Sequence, residues 1–564
     1  MEEDTQSTQS RLKLSEIPGL LLYLGYTTIL TYLFLSRQFP FEFLQPKDDT
    51  TIGNWSSIKE VRSVPKPFEN YFPNRNRFVF DGIMFDSDFD GGNLHTARKV
   101  RTNHYEISVA CDGQDTQYET PSKKAFFYFK LVVLKEVTKQ TAIKITAAKL
   151  SLMQKRNIAH GMVPVYRVLP RQPDWRYIDT SLEGVNAHKN KMNFTFEIKI
   201  RPGDKEIFVA TYIPYNYTDV YTIIDQLETL KQALPDLYFR RDVLTNSLQG
   251  RPIEMLTITL LDDKSKSKQN HAFEKYGEGE LLGRLFPNVY YNYINTIETC
   301  EQNGSWMLPP PEFSHKKVVV ISARVHPGEA PASHIMDGVL LKFFESFTEE
   351  ETRAFLNEVV VLAIPMLNPD GVTHSFFRHD IRGKDLNRAY AEEDPEAFPV
   401  NFALNRLIDY YLETDRFYMF VDLHSHVNHD GFFIYSNSAN NPEDYKDLRA
   451  FYDQMLDMCD NFMPEHSVFA RNFASNELGK ARLHLKHAKN LKHVYTIESG
   501  YFKGRPMYQR KRRHTHKSDQ RPKIHADKLY QEDFRDIGRC IAQSIIRSWA
   551  RIGRRSPYYS SSEY

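Results

Sequence analysis

His326, Pro327, Gly328 and Glu329 set an imidazole and a carboxylate three residues apart, just after the apolar run Val318-Val319-Val320-Ile321. Where a strand gives way to a turn, two such side chains can reach one metal ion together. Catalytic zinc takes three protein ligands and keeps a fourth position for water. Taken alone, His-x-x-Glu is weak, because two polar residues on a loop are ordinarily just solvated. The third donor has to come from elsewhere in the chain.

A candidate lies in Asp422-Leu423-His424-Ser425-His426, at the polar tip of another apolar run. Alternate residues on a strand share a face, so Asp422, His424 and His426 point the same way and periodicity does not choose between the imidazoles. A carboxylate beside a ligating histidine also fixes its tautomer. Two further constellations suit hydrolysis. Asn368-Pro369-Asp370-Gly371 reads as a turn, and the polar stretch after it carries Arg378, Asn387 and Arg388 on irregular backbone. Such a group can clamp a carboxylate in bidentate fashion. Val494-Tyr495-Thr496-Ile497 then runs into Glu498, and a zinc peptidase needs one carboxylate off the metal as its base.

The ordered blocks His-Pro-Gly-Glu, Asn-Pro-Asp-Gly-Val, Asp-Leu-Asn-Arg, Asp-Leu-His-x-His and Tyr-Thr-Ile-Glu resemble the cytosolic carboxypeptidases, a branch of the funnelin metallocarboxypeptidases. The resemblance covers about residues 81 to 548. The segment Arg378-His379-Asp380-Ile381-Arg382-Gly383, and Tyr390 rather than Trp after Asn-Arg, look most like the subtype that removes branch-point glutamates from tubulin. Carried over position by position, the resemblance implies that His326, Glu329 and the first histidine of Asp-Leu-His-x-His, His424, hold one zinc ion (Zn2+) per chain. It implies Glu498 as general base, Arg378 as the group stabilising the oxyanion, and Asn387 with Arg388 as the grip on the substrate's C-terminal carboxylate. Gly479-Lys480-Ala481-Arg482 resembles the family segment whose Arg sits in the pocket for the leaving side chain, so Arg482 is implied to face a glutamate. The chain departs from the pattern at Ser375 and Ser425, where the family usually has Gly, and at Ser499-Gly500 after the Glu. These are small changes that bear on fine substrate preference.

The activity so implied is hydrolysis of glutamate from C-termini or polyglutamate side chains of glutamylated proteins, tubulin foremost. It would proceed by a zinc-activated water and a Glu base, in a cytoplasmic monomer associated with microtubules or cilia. Two other classes compete. An aspartoacylase-type zinc amidohydrolase shares the His-x-x-Glu logic, but the β-rich region and Arg482 count against it. A catalytically dead tubulin-binding scaffold is disfavoured by the intact ligand set and Glu498.

These residues need elements to position them. Helical periods over Val220 to Leu234, Ala332 to Phe344 and Asn401 to Leu412 alternate with apolar strands over Ile253 to Leu261, Val318 to Ser322 and Val359 to Ile364. That alternation predicts an α/β sandwich around a mixed sheet, with the site at the carboxyl ends of strands, over residues 216–550. Residues 75–215 carry short alternating runs such as Phe194-Thr195-Phe196-Glu197-Ile198 and read as an antiparallel β-sandwich with no visible chemistry. The fold class is therefore α/β of the carboxypeptidase type, preceded by that β-sandwich domain.

The remaining segments are an arm (1–36), a Pro/Asp/Ser-rich linker (37–74), a basic insertion (503–525) and a tail (551–564). Ile17 to Ser36 is uncharged and as long as the ~20 residues a bilayer span needs, leaving a membrane anchor and an apolar arm both open. The insertion contains Arg510-Lys511-Arg512-Arg513-His514, which leaves open a solvated, disordered insertion, a nuclear-targeting segment and an electrostatic rail for an acidic polyglutamate tail. It lacks the interleaved aromatics of a nucleic-acid binder, and no nucleic acid partner is expected. Over 564 residues the net charge is only +1, so any preference for acidic substrates must come from local patches. With 41% hydrophobic residues the chain can bury large cores. Cys111, Cys300, Cys459 and Cys540 are scattered without CxxC spacing, which predicts reduced thiols.

Overall fold

A computed structural model describes residues 75–262, 313–438, 442–470, 479–489, 491–505 and 527–552. All of these lie in one compact unit. The arm, the linker, most of the basic insertion, most of the tail and Cys300 lie outside them. Among the described residues, no helix is long and apolar enough to cross a membrane.

The amino-terminal part contributes eleven strands. They are β1 (Arg77–Phe80), β2 (Ile83–Asp86), β3 (Thr96–Arg101), β4 (His104–Ser108), β5 (Tyr128–Val133), β6 (Thr141–Ser151), β7 (Val165–Leu169), β8 (Gln172–Tyr177), β9 (Glu183–His188), β10 (Lys191–Ile200) and β11 (Glu206–Ala210). One sheet runs β1-β2-β5-β11-β7-β8, and the other β3-β4-β6-β10-β9. The strands form because their apolar residues alternate. In β10, Met192, Phe194, Phe196, Ile198 and Ile200 are buried while the residues between them are not. Inward-facing rings meet across the gap: the centroids of Phe85 on β2 and Tyr105 on β4 lie 5.0 Å apart. Such a pair contributes roughly 0.5–1.5 kcal/mol beyond its buried area. One expectation needs correcting, since the second sheet is not wholly antiparallel. β4 and β6 pair in parallel, because the chain between them crosses to the other sheet as β5 and returns in the same direction.

The carboxyl-terminal part is built on eight strands: β12 (Leu237–Asn246), β13 (Pro252–Leu260), β14 (Lys317–Ala323), β15 (Val359–Ile364), β16 (Phe417–Ser425), β17 (Phe432–Asn437), β18 (Val468–Ala470) and β19 (His493–Ser499). Their order is β12-β13-β15-β14-β16-β19-β17-β18. The central four, β15-β14-β16-β19, are mutually parallel, and antiparallel neighbours flank them. A parallel sheet is covered on both faces and reads as continuous apolar sequence. β15 is VVVLAI, buried at every position.

Eight helices serve the argument: α1 (Tyr217–Lys231), α2 (Ala330–Glu345), α3 (Glu350–Glu358), α4 (Pro369–Thr373), α5 (Pro399–Glu413), α6 (Pro442–Met458), α7 (Ala481–Lys489) and α8 (Gln531–Ile552). Val319, Ile321, Val421 and Ile497 face α2, α6 and α8, in a core continuous with that of the β-sandwich. Val318, Val320, Phe420 and Val494 face the opposite way, toward α5 and α7. The α2–α8 crossing is tight enough to require glycine. A Cβ on Gly338 would meet Arg535 O at 1.9 Å, and one on Gly538 would meet Ile335 O at 2.0 Å.

The cysteines depart from the sequence expectation. Cys459 and Cys540, 81 residues apart, form a disulfide where the end of α6 meets α8, while Cys111 is a buried free thiol. Linear spacing carries no information about two thiols joined by helix packing.

Candidate active site

His326, Glu329 and His424 converge at the carboxyl ends of β14 and β16. One ligand atom from each lies within 4.8 Å of the others, and all three residues are buried. His326 Nδ1 is 2.7 Å from Glu329 Oε1, and His424 Nδ1 is 3.0 Å from Glu329 Oε2. Both imidazoles turn the same nitrogen inward and hand the other to a carboxylate. His326 Nε2 lies 3.1 Å from Asp385 Oδ1 and His424 Nε2 lies 2.7 Å from Asp422 Oδ2. Asp422 is itself held by the Ser322 hydroxyl at 2.8 Å. Burial alone would push the Glu329 carboxyl up, but the two imidazoles outweigh it and hold the group well below its ordinary range. Two imidazoles and one carboxylate, each fixed from behind, are the donor set of a three-ligand catalytic zinc site. The residues present fit that ion.

The structure separates the two histidines that strand periodicity left equivalent. β16 ends at Ser425; His426 still donates its backbone N–H to Ser499 O at 2.8 Å, but its ring packs beside His429, with centroids 4.7 Å apart. Ser425 meanwhile donates its backbone N–H to Glu329 Oε2 at 2.9 Å.

Glu498 stands directly opposite His424 in the β16–β19 register. Its Oε2 is shut away from solvent and has no hydrogen-bond partner among the described residues. Burial pushes its carboxyl up to about 7, against the pull of His424 and with the Glu329 carboxylate adding to the rise. An unpartnered buried carboxyl oxygen is costly unless something else is meant to meet it.

The loop half of the site comes from residues 375–390. Asn368-Pro369-Asp370-Gly371 is more than a turn, because Asn368 caps α4 by accepting from Gly371 N at 3.0 Å. Ser375 adopts left-handed backbone (φ 58°), and its hydroxyl donates to Gly92 O at 2.9 Å. The conformation is one glycine takes freely, so the serine is accommodated at some strain and tied to the β-sandwich. Arg378 donates from Nε to Asp385 Oδ2 at 2.8 Å, with Nη2 at 2.6 Å from the same oxygen. Asp385 therefore holds both the imidazole of His326 and the guanidinium of Arg378. Arg388 is exposed, and Asn387 Oδ1 accepts from Ala481 N at 3.1 Å, joining the loop to the start of α7.

Arg482, in the first turn of α7, donates from Nη1 to Asn437 Oδ1 (2.7 Å) and Ser436 O (3.2 Å). Both acceptors belong to β17, the strand that pairs with β19, where Phe433 stands opposite Glu498. Gly479, three residues before Arg482, has no room for a side chain: a Cβ there would meet Arg388 O at 2.0 Å.

Sequence reasoning missed the residues that hold the His326–Glu329 turn. Arg324, buried and with φ 65°, donates to Pro327 O, Ser333 Oγ and Tyr215 O, while the Tyr212 hydroxyl donates to Gly328 O at 2.7 Å. A charged residue just beyond an apolar strand was the available signal for Arg324. Nothing local marked Tyr212, 116 residues away from Gly328.

Known proteins bear on this geometry. The Mus musculus protein "Cytosolic carboxypeptidase-like protein 5" is 27% identical over 368 residues, which is 58% of this chain and 37% of that one. The Gallus gallus "Cytosolic carboxypeptidase 1" is 24% identical over 372 residues, 64% of this chain and 26% of that one. The chain thus spans well under half the length of these relatives. The fold is shared with a metallo-carboxypeptidase from Burkholderia cenocepacia (TM-score 0.57, 18% identity, 83% of this chain and 99% of that one). It is shared too with a Pseudomonas aeruginosa metallo-carboxypeptidase (TM-score 0.55, 17% identity, 82% and 98%). The zinc carboxypeptidase family model matches residues 223–509, the stretch that holds His326, Glu329, His424 and Glu498, and the chain belongs to that family.

Proposed function

We propose that this chain is a zinc-dependent carboxypeptidase that removes glutamate from C-termini or polyglutamate side chains of cytoplasmic proteins, tubulin among them. The supporting observation is the His326–Glu329–His424 cluster, with Glu498 opposite His424 on the next strand and its Oε2 without a hydrogen-bond partner among the described residues. A zinc ion held by those three residues supplies Lewis acidity and a water nucleophile at neutral pH. Glu498 Oε2 takes the proton of the attacking water and returns it to the leaving amine, the task for which a carboxyl poised near neutrality is suited. Arg378 donates to the oxygen that gains negative charge. Asn387 and Arg388 hold the terminal α-carboxylate, and Arg482 pairs with the side-chain carboxylate of the departing glutamate. The tubulin and glutamate readings draw on motif resemblance and on Arg482.

The test is direct. Purified chain, checked for one equivalent of zinc, is given peptides ending in α-linked glutamate, γ-linked glutamate or leucine, and free amino acid is measured. Release of glutamate well ahead of leucine is expected. Absence of any release by zinc-loaded protein would sink the peptidase reading. Equal release of leucine would sink the glutamate preference alone.

A further inference from the structure

The amino-terminal β-sandwich carries no hydrolytic motif, yet one of its carboxylates enters the site. Asp112 follows β4 and is buried. Its Oδ1 accepts from Phe377 N at 2.5 Å, and its Oδ2 accepts from Arg378 N at 2.9 Å and His379 N at 3.0 Å. His379 Nδ1 lies 3.0 Å from the same Oδ2. Three successive backbone N–H groups and one imidazole thus converge on a single buried carboxylate 266 residues upstream of Arg378. An ionised carboxylate only accepts, and here Oδ1 meets the N–H of Phe377 while Oδ2 is shared by Arg378 N, His379 N and the His379 ring.

The contact is part of a built arrangement. Asp112 O accepts from Thr120 N, closing the turn that carries Tyr118. Tyr118 packs on Phe376 and Ile381, and a Cβ on Gly383 would stand 3.3 Å from Tyr118 Cβ. At the near end, Ser375 is tied to Gly92 of the same β-sandwich. At the far end, Asp380 Oδ1 accepts from Arg382 N and Lys384 N. The backbone of Arg378 is therefore fixed from the β-sandwich, while Asp385 aims its guanidinium.

We infer that Asp112 is a positioning residue for Arg378: the β-sandwich sets, through this one carboxylate, where the oxyanion-stabilising guanidinium stands. The inference rests on the role proposed above for Arg378. Asp112 touches no substrate, and its effect passes through the backbone of residues 377–379. Asp112→Asn keeps the shape but turns one acceptor into a donor facing N–H groups, which displaces the loop. A shift of about 1 Å in a group that acts in the transition state can cost roughly a hundredfold in rate.

The experiment is a double-mutant cycle on the full chain, with kcat, KM and zinc content measured for wild type, Asp112→Asn, Arg378→Ala and the double variant. Asp112→Asn is expected to lower kcat by roughly ten- to a hundredfold with KM within about threefold and zinc unchanged. In the Arg378→Ala background the same change should cost less than about twofold, because residues acting through one another are not additive. Equal losses in both backgrounds would overturn the inference and leave Arg378's role intact, as would a wild-type kcat for Asp112→Asn. A wild-type kcat for Arg378→Ala would remove the premise instead, and with it the inference. If Asp112→Asn does not fold, Asp112→Glu keeps the charge, moves it by one methylene, and is read by the same criteria.

Discussion

The two halves of the candidate site are held in place differently. His424 and Glu498 stand on adjacent parallel strands, His326 and Glu329 follow a third, and sheet register fixes their spacing. Arg378, Asn387 and Arg388 stand on a loop that borrows its shape from side chains: Asp112, Asp380 and Asp385 take its N–H groups, and the β-sandwich pins Ser375. His424 and Glu498 are positioned by sheet register, with the side chains of Arg324 and Tyr212 holding the His326–Glu329 turn beside them. The loop is positioned by particular carboxylates, one of which, Asp112, lies 266 residues from Arg378. Damage to the first half should remove chemistry outright, and damage to the second should misplace groups that remain present.

The largest effects should come from the strand-end half. His326→Ala, Glu329→Gln or His424→Ala is expected to release zinc and abolish turnover, since two ligands hold the ion poorly. His426→Ala should keep the metal. Zinc content by atomic emission, read beside turnover, separates the cases, and stoichiometric zinc in His424→Ala would reverse the choice of histidine. Glu498→Gln should retain zinc and the fold yet lower kcat by about 10²- to 10⁴-fold. Survival of a tenth of the wild-type rate would exclude it as the base.

Smaller losses are expected where the loop half meets α7. Arg482→Ile should depress kcat/KM for glutamate release by roughly 30-fold to several thousandfold, corresponding to ~2–5 kcal/mol for removing one partner of a desolvated charge pair. It should also raise relative activity toward aliphatic C-termini. An unchanged glutamate preference would transfer the role to another cation, with Lys480 next to be tested.

Smallest of all should be Ser375→Gly. It relieves left-handed backbone by about 1 kcal/mol and forfeits a hydrogen bond of similar worth, so stability should move by less than about 1 kcal/mol. Thermal melting checks this. A loss of several degrees would mean the bond to Gly92 matters more to the loop than the backbone strain does.

The same division explains what could be read from the chain. The helices predicted from Ala332 and Asn401 begin two residues earlier, at Ala330 and Pro399, and the strand predicted over Val359 to Ile364 has those bounds. Hydrophobic periodicity is a local signal, and these elements obey it. The His326–Glu329 pair is equally local, and His424 was within reach because a strand brings its alternate residues to one face. Strand periodicity alone left His424 and His426 equivalent; the family resemblance pointed to His424, and it is His424 that lies with His326 and Glu329. Asp112 and Tyr212 were illegible because their partners lie 266 and 116 residues away. The parallel β4–β6 pair and the Cys459–Cys540 bond were hidden because each depends on how intervening elements pack and not on local sequence.

The tight passage of Gly479 against Arg388 has a further consequence. Tyr390 N donates to Gly479 O and Ala481 N to Asn387 Oδ1, so the 387–390 stretch and the start of α7 are locked together. With Arg388 and Arg482 in their proposed roles, the grips on the two carboxylates of the departing glutamate sit at a set separation, like the jaws of a caliper. A departing glutamate carries the same two carboxylates whether its amine was joined to an α- or a γ-carbonyl. The caliper is then blind to linkage, and substitutions within 479–482 should scale α- and γ-linked substrates by one common factor. Discrimination between a chain end and a branch point would be written on the acyl side of the scissile bond.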